Sequence, residues 1–323
     1  MSNRVHSIVM ANRWNSIAAR LFAAALIAVV GAGACAPHAV TVGQPAASPV
    51  KGSLLIVGGG PIPREVNQRF VDLAGGKGKA LIVVFPMATA VADGGPAKAE
   101  ELRSLGARAF VVNVSRATAD ADSIVSRLDS ATGIWFVGGD QNRITAAIAG
   151  TRTAAAIRAR FAAGAVVGGT SAGAAVMSET MITGDERRLG GRRPPSDSSQ
   201  AFMTIDRDNI VTTPGLGLIS GAIVDQHFVR RRRHNRLLSL VLESPTTVGV
   251  GVDESTALIV RPDGMWEIIG ESVAVIYDAR RGKITPAGTV LGASDVRMHV
   301  LPTGSRYDPK SGRVLELGAP PGR

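Results

Sequence analysis

The chain has 323 residues, of which 45% are hydrophobic and 19% charged. This balance excludes a disordered polyelectrolyte and suits one large globular domain or two small ones. A net charge of +10 attracts polyanions of any kind without naming one, and a single cysteine excludes an intrachain disulfide. With 38 glycines and only 4% aromatic residues, the core must be built from Val, Ile, Leu and Ala, as in buried parallel sheets.

Residues 1–34 carry Arg4, Arg13 and Arg20 with no acidic residue, then an apolar run from Leu21 to Val30 and the small residues Gly31 to Ala34. The run is too short to cross a bilayer, and the pattern is that of a signal peptide for export. Removing those three arginines from the net charge of +10 leaves +7, still basic. Cys35 follows directly, where a bacterial lipoprotein signal places its lipidated cysteine, although Ala32 stands where such signals usually carry Leu. The expected product is periplasmic or extracellular, with a membrane anchor through Cys35 if that residue is lipidated. Residues 35–51 read as a Pro/Ala/Ser/Thr linker.

The domain is expected over residues 52–300. Apolar runs at 54–57, 80–85, 109–114, 133–137 and 165–167 read as strands. Between them 64–73, 97–105, 121–128 and 142–163 read as helices. This alternation predicts an α/β fold, a mostly parallel central sheet covered by helices on both faces. The stretch from Glu186 to Gln200 is polar and rich in Arg, Gly, Pro and Ser, a surface loop. Residues 225–243 read as a helix, 248–252, 257–260, 266–269 and 273–277 as strands, and 301–323 as a weakly specified tail.

Gly169-Thr170-Ser171-Ala172-Gly173 has the form of a nucleophile turn between strand and helix, with small residues two before and two after the serine. The backbone N–H of Ala172 then faces a developing oxyanion. Gly138-Gly139-Asp140-Gln141 forms a second glycine loop at the same sheet edge, suited to an oxyanion N–H at Gly139 and a polar contact from Gln141. A serine needs a base. His6 and His38 precede the domain and His299 sits in an alternating, strand-like run, whereas His227 follows an apolar strand in Asp225-Gln226-His227-Phe228. Arg230, Arg231, Arg232, Arg233 and Arg236 come next, crowding what reads as a helix N-terminus, where cations oppose the macrodipole. An anionic ligand explains them, since guanidinium groups bind carboxylates bidentately. For the acid behind the histidine, Asp253 and Glu254 at a strand end are well placed, with Asp185 and Glu186 as alternatives.

These segments, together with 54–60 and 251–256, resemble one family, the cyanophycinases, relatives of the aspartyl dipeptidases with a class I glutamine amidotransferase-like sandwich. The resemblance spans about residues 52–277. It implies Ser171 as nucleophile, His227 as base and Glu254 as orienting acid, with Gln141, Asp225, Gln226, Arg231, Arg233 and Arg236 shaping the substrate pocket. The implied reaction is cleavage of cyanophycin, a polyaspartate bearing arginine on each side chain, to β-Asp-Arg dipeptides, with no cofactor and no metal. A serine peptidase acting on short acidic aspartyl or isoaspartyl peptides is the nearest alternative, and an envelope-anchored polyanion binder the more distant one. Nucleic acid is not an expected partner, because aromatic residues do not interleave the arginines. A homodimer is an assembly compatible with this reading.

Overall fold

A computed structural model describes residues 50–190 and 201–319. The signal segment, Cys35 and nearly all of the linker lie outside the described residues, as does most of the polar loop.

The strands in chain order are β1 (Leu54–Val57), β2 (Leu81–Phe85), β3 (Arg108–Val111), β4 (Gly133–Phe136), β5 (Val166–Thr170), β6 (Thr180–Glu186), β7 (Ile210–Pro214), β8 (Ala222–Gln226) and β9 (Val248–Val252). They continue as β10 (Thr256–Val260), β11 (Trp266–Gly270), β12 (Val273–Asp278), β13 (Lys283–Ile284), β14 (Ala293–Ser294), β15 (Arg297–Pro302), β16 (Arg306–Asp308) and β17 (Arg313–Glu316). The helices are α1 (Arg64–Leu73), α2 (Gly94–Ser104), α3 (Asp122–Val125, continued by a 3-10 turn), α4 (Gln141–Ile148), α5 (Arg152–Ala163), α6 (Ala172–Ala175) and α7 (His234–Glu243).

A nine-stranded sheet in the order β17-β16-β11-β10-β1-β5-β4-β2-β3 forms the centre. From β3 to β1 every pairing is parallel. Beyond β1 the added strands are antiparallel. A second sheet, β15-β12-β9-β8, stacks on one face. Alternate residues of β1 show the layering. Leu54 and Ile56 face a core shared with α4, α5 and the inner side of the second sheet, including Ile144, Ile157, Val250 and Ile276. Leu55 and Val57 face α1 and α2 through Val66, Phe70 and Leu102. The outer side of the second sheet carries α7 through Leu237 and Val241. Each fully buried Leu, Ile or Val on these faces contributes about 1.5–3 kcal/mol, so the fold rests on aliphatic layers as the composition required.

Three boundaries differ from the sequence reading. The single helix expected over 142–163 is two, because Gly150 takes φ 71° and Thr151 caps α5 by accepting the Ala154 N–H. The helix expected from Asp225 starts only at His234. Asp225 and Gln226 end β8, and residues 227–233 form a turn. The tail is no tail. Pro302 closes β15, and β16 and β17 extend the central sheet through β11, with Tyr307 wholly buried against Trp266. Among the described residues no helix is long and apolar enough to cross a membrane.

Candidate active site

Ser171 follows β5 with φ 54° and ψ −110°, a conformation that survives only where its surroundings enforce it. Its N–H donates to the Val57 carbonyl at 3.0 Å, and its carbonyl accepts from Ala174 and Ala175. The flanking glycines are close-approach positions: a Cβ on Gly169 would fall 2.6 Å from the Gly173 carbonyl oxygen, and one on Gly173 would overlap the Phe136 carbonyl. The elbow is therefore fixed by backbone contact on both sides. Helix α6 is one turn long, so local N–H groups matter there more than a macrodipole. The Ala172 N–H is the first of that turn and has no intrahelical acceptor. Gly138 lies against Ser171, since a Cβ on it would touch the serine Cβ at 3.4 Å, and Gly139 follows with φ 140°.

His227 stands at the end of β8 with φ 48°, its N–H donating to the Gly58 carbonyl at 2.6 Å. Nε2 of its ring lies 2.9 Å from Ser171 Oγ and Nδ1 lies 2.6 Å from Glu254 Oε1. A carboxylate only accepts, so Nδ1 carries the proton and Nε2 is left to receive that of the serine. Burial pushes the imidazole below its ordinary value of 6.5. The hydrogen bond to Glu254 works the other way, while the Arg231 and Arg233 guanidinium groups depress it further. The ring is thus held neutral near neutral pH, with Nε2 able to accept a proton. Beneath it run Gly58, Gly59 and Gly60, where a Cβ would strike the Asp253 carbonyl, the His227 ring and the Glu254 side chain respectively.

Glu254 holds Nδ1, which removes Asp185 and Glu186 from the third position. Glu186 is wholly buried and spends its carboxylate on Arg188, Asn209 and the Phe202 N–H, tying the two ends of the polar loop together. Asp185 precedes it on β6. Asp253, next to Glu254, turns away from the imidazole and accepts from the Val229 and Arg230 N–H groups and the Ser272 hydroxyl.

The arginine cluster divides. Arg231 and Arg233 lie near the imidazole, and Arg233 Nη1 donates to the Gln226 carbonyl at 2.8 Å. Arg236 does not reach a ligand: it is 2% exposed and forks onto Asp225, itself 1% exposed, with Nε–Oδ2 at 2.6 Å and Nη2 on Oδ1. Asp225 and Arg236 are therefore a buried ion pair beneath the site rather than pocket contacts, because neither has a charge left to offer. Gln141 is also buried, and its amide nitrogen donates to the Ile182 and Thr183 carbonyls, bracing β6 against the Gly139 loop. Gln226, 6% exposed, keeps Oε1 buried without a hydrogen-bond partner.

Sequence reasoning gave no role to the three glycines after β1 or to the clamp at Asp253. A run of three glycines closing a buried strand was the visible signal for the first. For the second there was none, since adjacent acids do not reveal which one points at the histidine.

The model of peptidase family S51 matches residues 54–268. A cyanophycinase of Geminocystis herdmanii is 32% identical over 81% of this chain and 95% of its own length. A cyanophycinase of Synechococcus elongatus is 32% identical over 82% of this chain and 81% of its own, and one of Nostoc is 31% identical over 80% and 85%. Among solved structures, a peptidase from an acI-B1 actinobacterium superposes with a TM-score of 0.59 at 22% identity, covering 81% of this chain and 98% of that one, a likeness of fold. The chain belongs to peptidase family S51 and is a serine-type peptidase.

Proposed function

We propose that this chain hydrolyses cyanophycin to β-Asp-Arg dipeptides through an acyl-enzyme on Ser171. The observation that carries the proposal is the relay Ser171–His227–Glu254, joined at 2.9 and 2.6 Å, beside two guanidinium groups. His227 Nε2 takes the serine proton as Oγ attacks the amide carbonyl between aspartates, and the Ala172 and Gly139 N–H groups face the oxyanion. His227 then returns the proton to the leaving amine, and a water activated by the same nitrogen hydrolyses the ester. Arg231 and Arg233 meet the polymer's free α-carboxylates. The likeness to curated cyanophycinases at 31–32% identity supports this substrate.

The test is incubation of purified mature protein with insoluble cyanophycin and mass analysis for β-aspartyl-arginine. The dipeptide should appear, and Ser171→Ala should abolish it in a protein that remains folded; dipeptide release by that variant would refute the mechanism. Action on short acidic peptides is the second reading, favoured if the parent protein cleaves such peptides but releases no dipeptide from the polymer. We further propose export directed by residues 1–34, which would put the enzyme in reach of polymer from other cells. Failure of a fused reporter to leave the cytoplasm would overturn that part.

A further inference from the structure

We propose that Asp253 is a positioning residue that presents His227 to Ser171, an inference that rests on the catalytic reading above. The turn of residues 227–233 carries the base and both guanidinium groups beside it, yet two of its residues, His227 at φ 48° and Arg232 at φ 53°, lie in the left-handed region. Such a turn holds its shape only if its backbone is over-determined. Asp253 supplies that: Oδ1 accepts from the Val229 N–H at 3.0 Å and the Arg230 N–H at 2.9 Å, and Oδ2 from the Ser272 hydroxyl at 2.8 Å. The carboxylate is almost fully buried, at 7% exposure. Its neighbour Glu254 grips the imidazole itself. Two consecutive acids thus hold the same histidine at two points, one through the backbone that follows it and one through its ring. Ser272 completes the clamp, since its N–H donates to Thr256 Oγ1 and Thr256 opens the strand after Glu254.

What the turn needs from Asp253 is an acceptor at a fixed distance, so shape matters more than charge. In Asp253→Asn the amide oxygen keeps both N–H contacts and the amide nitrogen donates to the Ser272 oxygen instead. In Asp253→Glu the charge stays but the extra methylene moves it by about 1.5 Å. The experiment is the labelling rate of Ser171 by an uncharged fluorophosphonate in the full-length mature protein, at a temperature where circular dichroism shows each variant native. Asp253→Asn should label within about fivefold of the parent and Asp253→Glu and Asp253→Ala at least about twentyfold slower, the scale of a base displaced by a fraction of an ångström. Asp253→Glu or Asp253→Ala labelling within threefold of the parent, or Asp253→Asn as slow as Asp253→Glu, would overturn the proposal. Should those two fail to fold, Ser272→Ala decides: labelling slowed about threefold supports the clamp, and the parent rate refutes it. His227→Ala labelling at the parent rate would instead show that the catalytic reading had failed, independently of Asp253.

Discussion

Gly59→Ala gives a direct measure of how tightly the base is held. An ideal Cβ at this position would fall 2.7 Å from His227 Nδ1, and closer still to Cε1 and Nε2. Ordinary contact begins at 3.4 Å, so 3.4 less 2.7 requires at least 0.7 Å of retreat at Nδ1 and more at the other two atoms. The ring cannot retreat without lengthening its bonds to Ser171 or Glu254, and a displacement of about 1 Å costs on the order of 100-fold in rate. The backbone adds its own penalty, because φ 117° at Gly59 strains any L-residue by about 1–3 kcal/mol. Gly76→Ala separates the two effects: its φ is 82° and nothing lies within 4 Å of the added carbon. Both variants should lose stability in urea unfolding, while only Gly59→Ala should lose kcat/KM for dipeptide release, by roughly 100-fold. Gly59→Ala retaining activity within threefold of the parent, or Gly76→Ala losing as much as Gly59→Ala, would show that contact with the Gly59 backbone does not fix the imidazole.

Glu254→Gln keeps the shape of the acid but no longer stabilises the imidazolium, and kcat should fall by about 10³–10⁴ with the melting temperature little changed; steady-state kinetics beside calorimetry checks it. Arg236→Ala leaves the buried Asp225 carboxylate with only the Gln226 N–H and the more distant Arg233 Nη1, at 3.8 Å, and should cost about 3 kcal/mol in denaturant unfolding, a loss of stability where a pocket residue would show a rise in KM. For pH, the active form of His227 is neutral and its pKa lies below the ordinary value. The acid limb of Ser171 labelling should therefore fall below the ordinary histidine value of 6.5. Arg233→Ala removes one of the charges that depress it, so the limb should move to higher pH; no movement, or movement to lower pH, would contradict the assigned electrostatics.

Leu54–Val57 and Arg64–Leu73 read from the sequence at their observed bounds, since each satisfies one local rule: four apolar residues buried on both faces, and a helix-period stripe of Val66, Phe70 and Val71. The tight turn at Ser171 was legible for a similar reason, because the crowding around it dictates glycine at fixed spacing. The reading failed where a local pattern served a distant partner. Arg236 looked like one more ligand-binding cation, but its charge is spent on Asp225 eleven positions earlier, across the turn from β8 to α7. The same pair explains the misplaced helix start: the arginines were read as crowding a helix, whereas Arg230 to Arg233 sit in a turn that swings the chain back over its own strand. The final strands β16 and β17 are short and carry glycine and proline between them, so they are specified by the edge of β11 they complete rather than by their own composition.

In the proposed relay Ser171 follows a strand of the nine-stranded sheet, His227 closes a strand of the four-stranded sheet, and Glu254 lies on the link between the two. Catalytic competence is therefore a gauge of the seam between the layers. A perturbant mild enough to let the layers slide by an ångström should silence the enzyme while each sheet's own ladder stays intact, so inactivation should precede the loss of far-ultraviolet circular dichroism. A newly made chain would likewise stay harmless to other peptides until its two sheets had met.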